Sequence, residues 1–365
     1  MMAHPAIAPA PNSVSTSSPV PRFAAASSPA QRRLEQRLRE ETRCEVRFDP
    51  AARGLYATDA SLYQIEPVGV ALPRSRTDVA NAVRVAYEEG VAILPRGGAT
   101  SLSGQTIGRA LVLDLSKHLR RVGVIDRERM TVEVETGLVL DRLNAHLEPL
   151  GLMFGPDVST SDRATIGGMI GNNSAGARSL KYGKMVDHVE TLHVVLDDGT
   201  PASFGPLDEA QLAAIVARDD RVGRLHRVVA EVVEQNRAAI ETAFPRILRR
   251  VSGYNLDEFV PGLPVEPFRF NLSRLIVGSE GTLAVAVAAN LKLMPKPRAQ
   301  GLVILSFETL IQSLESVGEI VETGPASVEL VDRTILDLAA RNPEYARYVT
   351  FVEGRPEAVL AAQFH

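Results

Sequence analysis

The chain of 365 residues contains one cysteine, no tryptophan and only 5% aromatic residues. With Cys44 alone, neither an internal disulfide nor a cluster held by several thiolates of this chain can form, which fits a reducing compartment. Neither sign of charge dominates: 40 basic side chains stand against 44 acidic ones, a net charge of −4. There is no cationic excess for a polyanion, so no nucleic-acid partner is expected. No apolar run reaches the ~18 residues of a membrane-spanning helix, so no integral membrane segment is expected. The seven histidines form no H-E-x-x-H or H-x-x-H pair, and no metal site is expected. No two of the 27 glycines are separated by a single residue. The G-x-G-x-x-G fingerprint of a standard Rossmann dinucleotide site is therefore absent, as is the P-loop pattern.

What is present suits a globular protein: 45% hydrophobic and 23% charged residues. Residues 1–30 are set apart by 8 Ala, 6 Pro and 6 Ser, with Arg22 the one charged side chain. They have no apolar period to bury, so a disordered tail is expected. A charged helix is expected from Gln31 to Thr42. Val68–Pro95 reads as a β-α-β unit: a strand at Val68–Leu72, a helix capped at Thr77-Asp78 and ended by Gly90, and a strand at Val91–Leu94. Further strands are expected at Ala110–Asp114, Arg121–Asp126 and Thr131–Glu135, with a helix over Leu138–Pro149. His188–Asp197 followed by Asp198-Gly199 reads as a hairpin. Residues 207–245 have helical periodicity, with Leu225, Val228, Val229, Val232 and Val233 on one face. A strand at Leu283–Leu293 ends at Pro295 and Pro297, the best internal boundary. Beyond it the pattern is a β-α-β-α start without an obvious finish.

Three glycine-rich segments carry the chemistry. The first runs Pro95-Arg96-Gly97-Gly98-Ala99-Thr100-Ser101-Leu102-Ser103-Gly104-Gln105, directly after a strand. Small side chains leave successive backbone N–H groups uncovered, and such groups in a tight loop form an anion nest. Thr100 and Ser101 add hydroxyl donors; the alternative is a plain glycine-rich turn. The second runs from Gly155-Pro156-Asp157 through Ser161 to Ala164-Thr165-Ile166-Gly167-Gly168-Met169-Ile170-Gly171-Asn172-Asn173-Ser174-Ala175-Gly176. Thr165 can cap a short helix starting near Ile166. Its glycines let a flat ligand approach the backbone, and Asn172 and Asn173 suit a heterocycle edge. Tight helix packing through small residues is the alternative. The third, Val277-Gly278-Ser279-Glu280-Gly281-Thr282-Leu283, leads into a strand and by itself is equally a simple turn.

These segments, with Arg178–Lys181-Tyr182-Gly183 and Asp187-His188-Val189, resemble the motifs of the PCMH-type FAD flavoproteins, the vanillyl-alcohol-oxidase superfamily. Within it the resemblance is to D-lactate dehydrogenase, the flavin-binding polypeptide of glycolate oxidase and D-2-hydroxyglutarate dehydrogenase. Val251-Ser252-Gly253-Tyr254-Asn255-Leu256 is similar to the large FAD/iron–sulfur members. The resemblance implies an α+β architecture: a two-subdomain FAD-binding domain over 31–297, with a helical insertion at about 207–265, and the start of a ferredoxin-like α+β cap over 298–365. It places Arg96, Gly97, Gly98, Ala99, Thr100, Ser101, Gly104 and Gln105 at the pyrophosphate. Pro156, Asp157, Ser161, Thr165, Gly167, Gly168, Gly171, Asn172, Asn173, Ser174 and Gly176 would run along the flavin and its linker. Gly278, Glu280, Gly281 and Thr282 would add further contacts. Ala99 stands where the motif has its third glycine, a mild change if its φ is negative. The loop has no histidine, so noncovalent FAD is expected.

The implied function is oxidation of a D-2-hydroxy acid such as D-lactate, glycolate or D-2-hydroxyglutarate, by hydride transfer to FAD. Electrons would pass to a quinone, a cytochrome or an iron–sulfur protein or domain, in the cytoplasm or peripheral to the inner membrane. A truncated chain is expected, with any iron–sulfur cluster in a missing C-terminal part; a naturally short relative with a reduced cap is the alternative. Arg178, Lys181 and Arg333 are candidates for the substrate carboxylate by location, Tyr182 could line the flavin, and no catalytic base is assigned. Lys117-His118 reads as a surface turn. Two other classes stay open: a flavin-binding module that needs a second chain, and an inactive structural protein that retains the fold.

Overall fold

The computed structural model describes residues 28–263 and 269–365. The expected disordered tail lies outside the described residues up to residue 27. Its last residues instead open a helix, because the Ser28 hydroxyl accepts from the Gln31 amide and Pro29 takes the first helical position. In chain order the first elements are α1 (Pro29–Glu41), β1 (Glu45–Arg47), α2 (Pro50–Leu55), β2 (Gly69–Leu72), α3 (Arg76–Glu88), β3 (Ile93–Arg96) and β4 (Leu111–Asp114). They form a four-stranded sheet ordered β1-β2-β4-β3, in which β2, β4 and β3 are parallel and β1 is an antiparallel edge. Alternation divides its two faces. Ala71, Leu111 and Leu113 pack with Leu34 and Leu38 of α1 and Val79 and Val83 of α3, while Val70, Leu72 and Val112 pack on the other side.

Next come β5 (Val122–Asp126), β6 (Thr131–Glu135), α4 (Leu140–Leu147), β7 (Leu152–Met153), α5 (Ile166–Asn172), α6 (Ser179–Tyr182), α7 (Met185–His188), β8 (Val189–Val195) and β9 (Pro201–Phe204). Three helices follow, α8 (Glu209–Val216), α9 (Arg221–Gln235) and α10 (Arg237–Ala243), then α11 (Ser273–Ile276), β10 (Val285–Lys292) and β11 (Met294–Pro295). Here β5-β6-β10-β8-β9 make an antiparallel sheet, with β11 and β7 paired beside it. Val132, Val134, Leu192 and Leu291 join α4, α5 and part of the helical segment in the largest core cluster. Val195, Val285 and Val287 belong instead to the cluster of the first sheet, so the two sheets share one apolar seam. A third sheet is built from β12 (Gly301–Phe307), α12 (Leu310–Glu322), β13 (Ser327–Asp332), α13 (Arg333–Arg341) and β14 (Ala358–Phe364).

Several boundaries depart from the sequence reading for local reasons. Ser75, not Thr77-Asp78, caps α3: its hydroxyl accepts from the Asp78 amide, and Asp78 sits inside the first turn. The second strand begins at Ile93 because the Val91 amide is taken by the Ala86 carbonyl in the helix's closing turn. Leu138–Pro149 is helical only from Leu140, since the Leu138 carbonyl accepts from Ile166 instead. The stretch 207–245 breaks into three helices, and Val228 and Val232 are exposed while Val233 is buried. The β-α-β-α start does acquire a third strand. β14 enters between β12 and β13, antiparallel to both, and carries the buried Ala358, Val359, Leu360 and Ala362.

Candidate functional site

The three glycine segments converge on one cleft. The first segment leaves β3, and its glycines press against the second: a Cβ on Gly97 would lie 2.0 Å from Thr165 Oγ1, and one on Gly98 would lie 2.4 Å from the Arg163 carbonyl oxygen. Thr165, 1% exposed, caps α5 by accepting from the Gly168 amide. The third segment then closes the other end of α5. The Gly278 amide donates to the Ile170 carbonyl at 2.9 Å, and the Glu280 amide to the Gly171 carbonyl at 3.0 Å. These bonds satisfy carbonyls that a helix C-terminus otherwise leaves without partners.

The unpaired backbone donors fall in one of the three segments. The amides opening α5 are already used, Ile166 by the Leu138 carbonyl and Gly167 by the Thr136 carbonyl. By contrast, among the described residues none accepts from the amides of Gly97, Gly98, Ala99, Thr100 or Ser101. The unpaired amides therefore belong to the first loop, not to the helix start. Ala99 holds φ at +55°, so the alanine in the third-glycine position is strained rather than mild. Left-handed residues among successive free amides are the geometry of an anion nest.

From the first segment, Arg96, Gly97, Ser101 and Gln105 border the cleft. The Arg96 guanidinium is occupied: it donates to the carbonyls of Thr58 (2.7 Å), Tyr56 (3.0 Å) and Thr106 (3.1 Å), and burial pulls its pKa down. These three bonds anchor the loop after β3. Gln105 reaches Glu280 at 3.4 Å, and its Oε1 is shielded from solvent without a partner among the described residues. Ala99 accepts from the Ala60 amide through its carbonyl, Thr100 is half-buried beside it, and Gly104 makes a turn at φ +82°.

From the second segment, Thr165, Gly167, Gly168, Gly171 and Asn172 border the cleft. Asn173 does not: it is fully buried, ends α5 at φ +47°, and accepts from the Val186 amide through its side-chain oxygen. Ser174 is tied to Met169 and Met185 through its backbone, and the Ser161 carbonyl accepts from Asp141. Pro156 is buried. The Asp157 carboxylate accepts from Arg178 Nε at 2.9 Å, and Gly176 packs so closely that its Cβ would lie 2.2 Å from Asp157. From the third segment Glu280 and Gly281 border the cleft. Gly278 packs against Asn173, while Thr282 donates to the Ser279 carbonyl and meets the Tyr254 hydroxyl at 2.9 Å.

The sequence reading missed Thr136, whose hydroxyl donates to the Ala286 carbonyl at 2.9 Å while its own carbonyl takes Gly167. It also missed Ile276 and Ala284 on the cleft wall, and within its own segments it gave no contact role to Ile170 or Ser279. A Thr-Gly pair after an alternating strand was the one available signal. Lys117 and His118 both reach Glu45, at 2.7 and 2.9 Å, and the Lys117 ammonium leads in holding that carboxyl down at about 2. They form a surface ion cluster. Arg333, in the first turn of α13, pairs with Asp337 and donates to the Pro356 carbonyl, and it is not among the residues lining the cleft. Among the described residues there is no metal-holding group of histidine, cysteine or acidic side chains, and no helix is long and apolar enough to cross a membrane.

Residues 67–205 match the family described as FAD binding domain. The D-2-hydroxyglutarate dehydrogenase of Pseudomonas putida is 36% identical over 318 residues, covering 86% of this chain and 31% of that protein. The Escherichia coli protein of the same name is 37% identical over 292 residues, 79% of this chain and 28% of its own length. Glycolate oxidase subunit GlcD of Bacillus subtilis is 32% identical over 292 residues, 78% of this chain and 50% of that one. The solved structure of alkyldihydroxyacetonephosphate synthase covers 88% of this chain and 53% of its own, with a TM-score of 0.61 at 20% identity, which shows a shared fold. The chain thus spans about a third of the length of the D-2-hydroxyglutarate dehydrogenases it matches.

Proposed function

We propose, from the premise that the chain belongs through residues 67–205 to the FAD-binding family of PCMH type, that it is the flavin-holding part of an FAD-dependent dehydrogenase of D-2-hydroxy acids. D-lactate, glycolate and D-2-hydroxyglutarate are the substrate class, matching the names of its relatives. The observation that carries this reading is the run of unpaired amides from Gly97 to Ser101, in a loop that borders the cleft shared by all three glycine segments.

The residues present fit the cofactor. Five successive amides and the hydroxyls of Thr100 and Ser101 make a donor set for a diphosphate. Gly168 and Gly171 leave that flank of α5 without side chains, which suits the approach of a flat ring. Gln105 Oε1, unpartnered among the described residues, and Asn172 supply groups for a heterocycle edge. No histidine stands between Pro95 and Gln105, which supports noncovalent attachment. When bound, FAD supplies the two-electron acceptor for alcohol oxidation. The chain's own residues bind the diphosphate, hold the ring system against α5, and exclude water through Ile170, Ile276 and Ala284. The onward acceptor is a quinone, a cytochrome or an iron–sulfur protein or domain. With Cys44 the one cysteine, any such cluster would lie outside this chain. A second reading, a flavin-binding module that turns over only beside further polypeptide, is favoured by the 31% coverage of the P. putida relative.

Reconstitution separates these readings. Purified chain mixed with FAD and desalted should keep a bound flavin spectrum. Anaerobic addition of D-lactate, glycolate or D-2-hydroxyglutarate should then bleach it. Bound flavin that no hydroxy acid reduces would select the module; a colourless protein would refute flavin binding altogether.

A further inference from the structure

The third glycine segment has a backbone that needs outside support. Gly278, Glu280 and Gly281 take φ values of +87°, +52° and +78°, and Glu280 does so with a side chain, against the steric preference of an L-residue. Yet this backbone is placed closely on both sides. The Gly278 and Glu280 amides close the end of α5, while Ser279, Glu280 and Gly281 line the cleft. Strained backbone persists only where its surroundings over-determine it.

The surroundings that do so are Gly253, Tyr254 and Asn255, none of which lines the cleft. Asn255 is fully buried, and its Nδ2 donates to two carbonyls at the end of α11, Arg274 at 3.0 Å and Val277 at 2.8 Å. Two carbonyl acceptors fix which end of the side-chain amide faces them, since only its NH2 group donates. The Val277 carbonyl belongs to the peptide bond that opens the segment at Gly278. A Cβ on Gly278 would lie 3.5 Å from the Gly253 carbonyl oxygen. At the far end the Thr282 hydroxyl gives its one proton to the Ser279 carbonyl, so the Tyr254 hydroxyl, 2.9 Å away, is the donor to Thr282 Oγ1. Three consecutive residues thus grip both ends of Gly278–Thr282. Their own loop is closed at its base by the Arg250–Asp257 ion pair, and Glu258 pairs with Arg274 on α11.

We propose that the loop 251–256 is a clamp that sets the third wall of the flavin cleft, with Asn255 and Tyr254 as positioning residues for FAD that act from outside the cleft through Gly278–Thr282. This rests on reading the chain as the flavin-holding part of a dehydrogenase, but one arm of its test needs no flavin.

Two substitutions remove donors with little change of shape. Tyr254→Phe deletes the hydroxyl of a half-exposed ring, and Asn255→Asp replaces the NH2 group by a carboxylate oxygen of similar size. In native-state amide exchange of the chain without FAD, both should speed exchange at Gly278 and Glu280, roughly threefold in the first and tenfold or more in the second. Ile166 and Gly167, at the other end of α5, should keep their wild-type protection. The Kd for FAD, read from flavin fluorescence, should rise by the same roughly threefold and tenfold factors, the loss of one exposed and of two buried hydrogen bonds. A merely structural role would move the amides at both ends of α5 together. The clamp is overturned if exchange at Gly278 and Glu280 is unchanged in both variants, if FAD affinity is unchanged in both, or if Ile166 and Gly167 lose protection equally. Should Asn255→Asp not fold, Tyr254→Phe decides by the same criteria. A wild-type chain that binds no FAD would instead refute the functional reading, and with it the role of the clamp in positioning the cofactor.

Discussion

Ala99 shows how much one side chain can hide. Its φ of +55° costs an alanine roughly 1–2 kcal/mol, whereas replacing alanine by glycine in an ordinary loop loses about 0.4–1 kcal/mol through the unfolded chain. Ala99→Gly should therefore stabilise the protein by about 0.5 kcal/mol, measurable as a higher urea midpoint at unchanged slope; a lower midpoint would show that the strain is not there. Asn173 carries the converse lesson. Beside Asn172 in sequence it looks like a ligand to a heterocycle, yet it is a buried left-handed helix end whose side chain holds the Val186 amide. Cys44 is a third case. Burial pushes its thiol up to about 11, so below that pH the protonated form prevails and roughly a thousandth is thiolate at pH 8. Alkylation by iodoacetamide should be slow in native protein and rapid in urea; equal rates would contradict the burial.

Among the elements, α5 is the hub. Its start is capped by Thr165, against which the first segment packs, and its end by the amides of the third segment. Two glycines here look alike in sequence and should behave in opposite ways. An alanine at Gly98 would drive its Cβ into the Arg163 backbone, which cannot rotate aside, so Gly98→Ala should lower stability and displace the loop with its free amides. Gly168 faces the cleft, and the nearest atom to an added Cβ is Thr165 Oγ1 at 3.4 Å. Gly168→Ala should leave the fold intact or firmer by about 0.5–1 kcal/mol, since alanine is the better helix former, while weakening FAD binding. Thermal melts beside FAD titrations check both. Loss of stability in Gly168→Ala with unchanged FAD affinity would reverse the assignment.

For the whole molecule, the cleft lies where the parallel sheet, through the loop after β3, meets the antiparallel sheet, through α5 and the entry to β10. A ligand held there ties two layers that already share the apolar seam of Val195, Val285 and Val287. FAD at a hundred times its Kd should add about 2.7 kcal/mol and raise Tm by several degrees; adenosine monophosphate at the same concentration, lacking the diphosphate, should do much less. An equal shift from both would remove the nest at Gly97–Ser101 from the account. Much of this was legible beforehand: the three small-residue segments, the alternation that marks β6, the cap at Thr165 and the absence of either common phosphate loop all follow from side-chain size, spacing and local hydrogen bonding. The tertiary structure decided which glycines serve packing and which serve the cleft. A missing Cβ permits close approach by a neighbouring strand of protein as readily as by a ligand, and local sequence cannot tell them apart. It also decided that the free donors belong to the first loop, that Thr136 joins the cleft wall, and that β14 enters between its two partners. Each of these depends on contacts between residues distant in the chain, whose pairing no local pattern encodes.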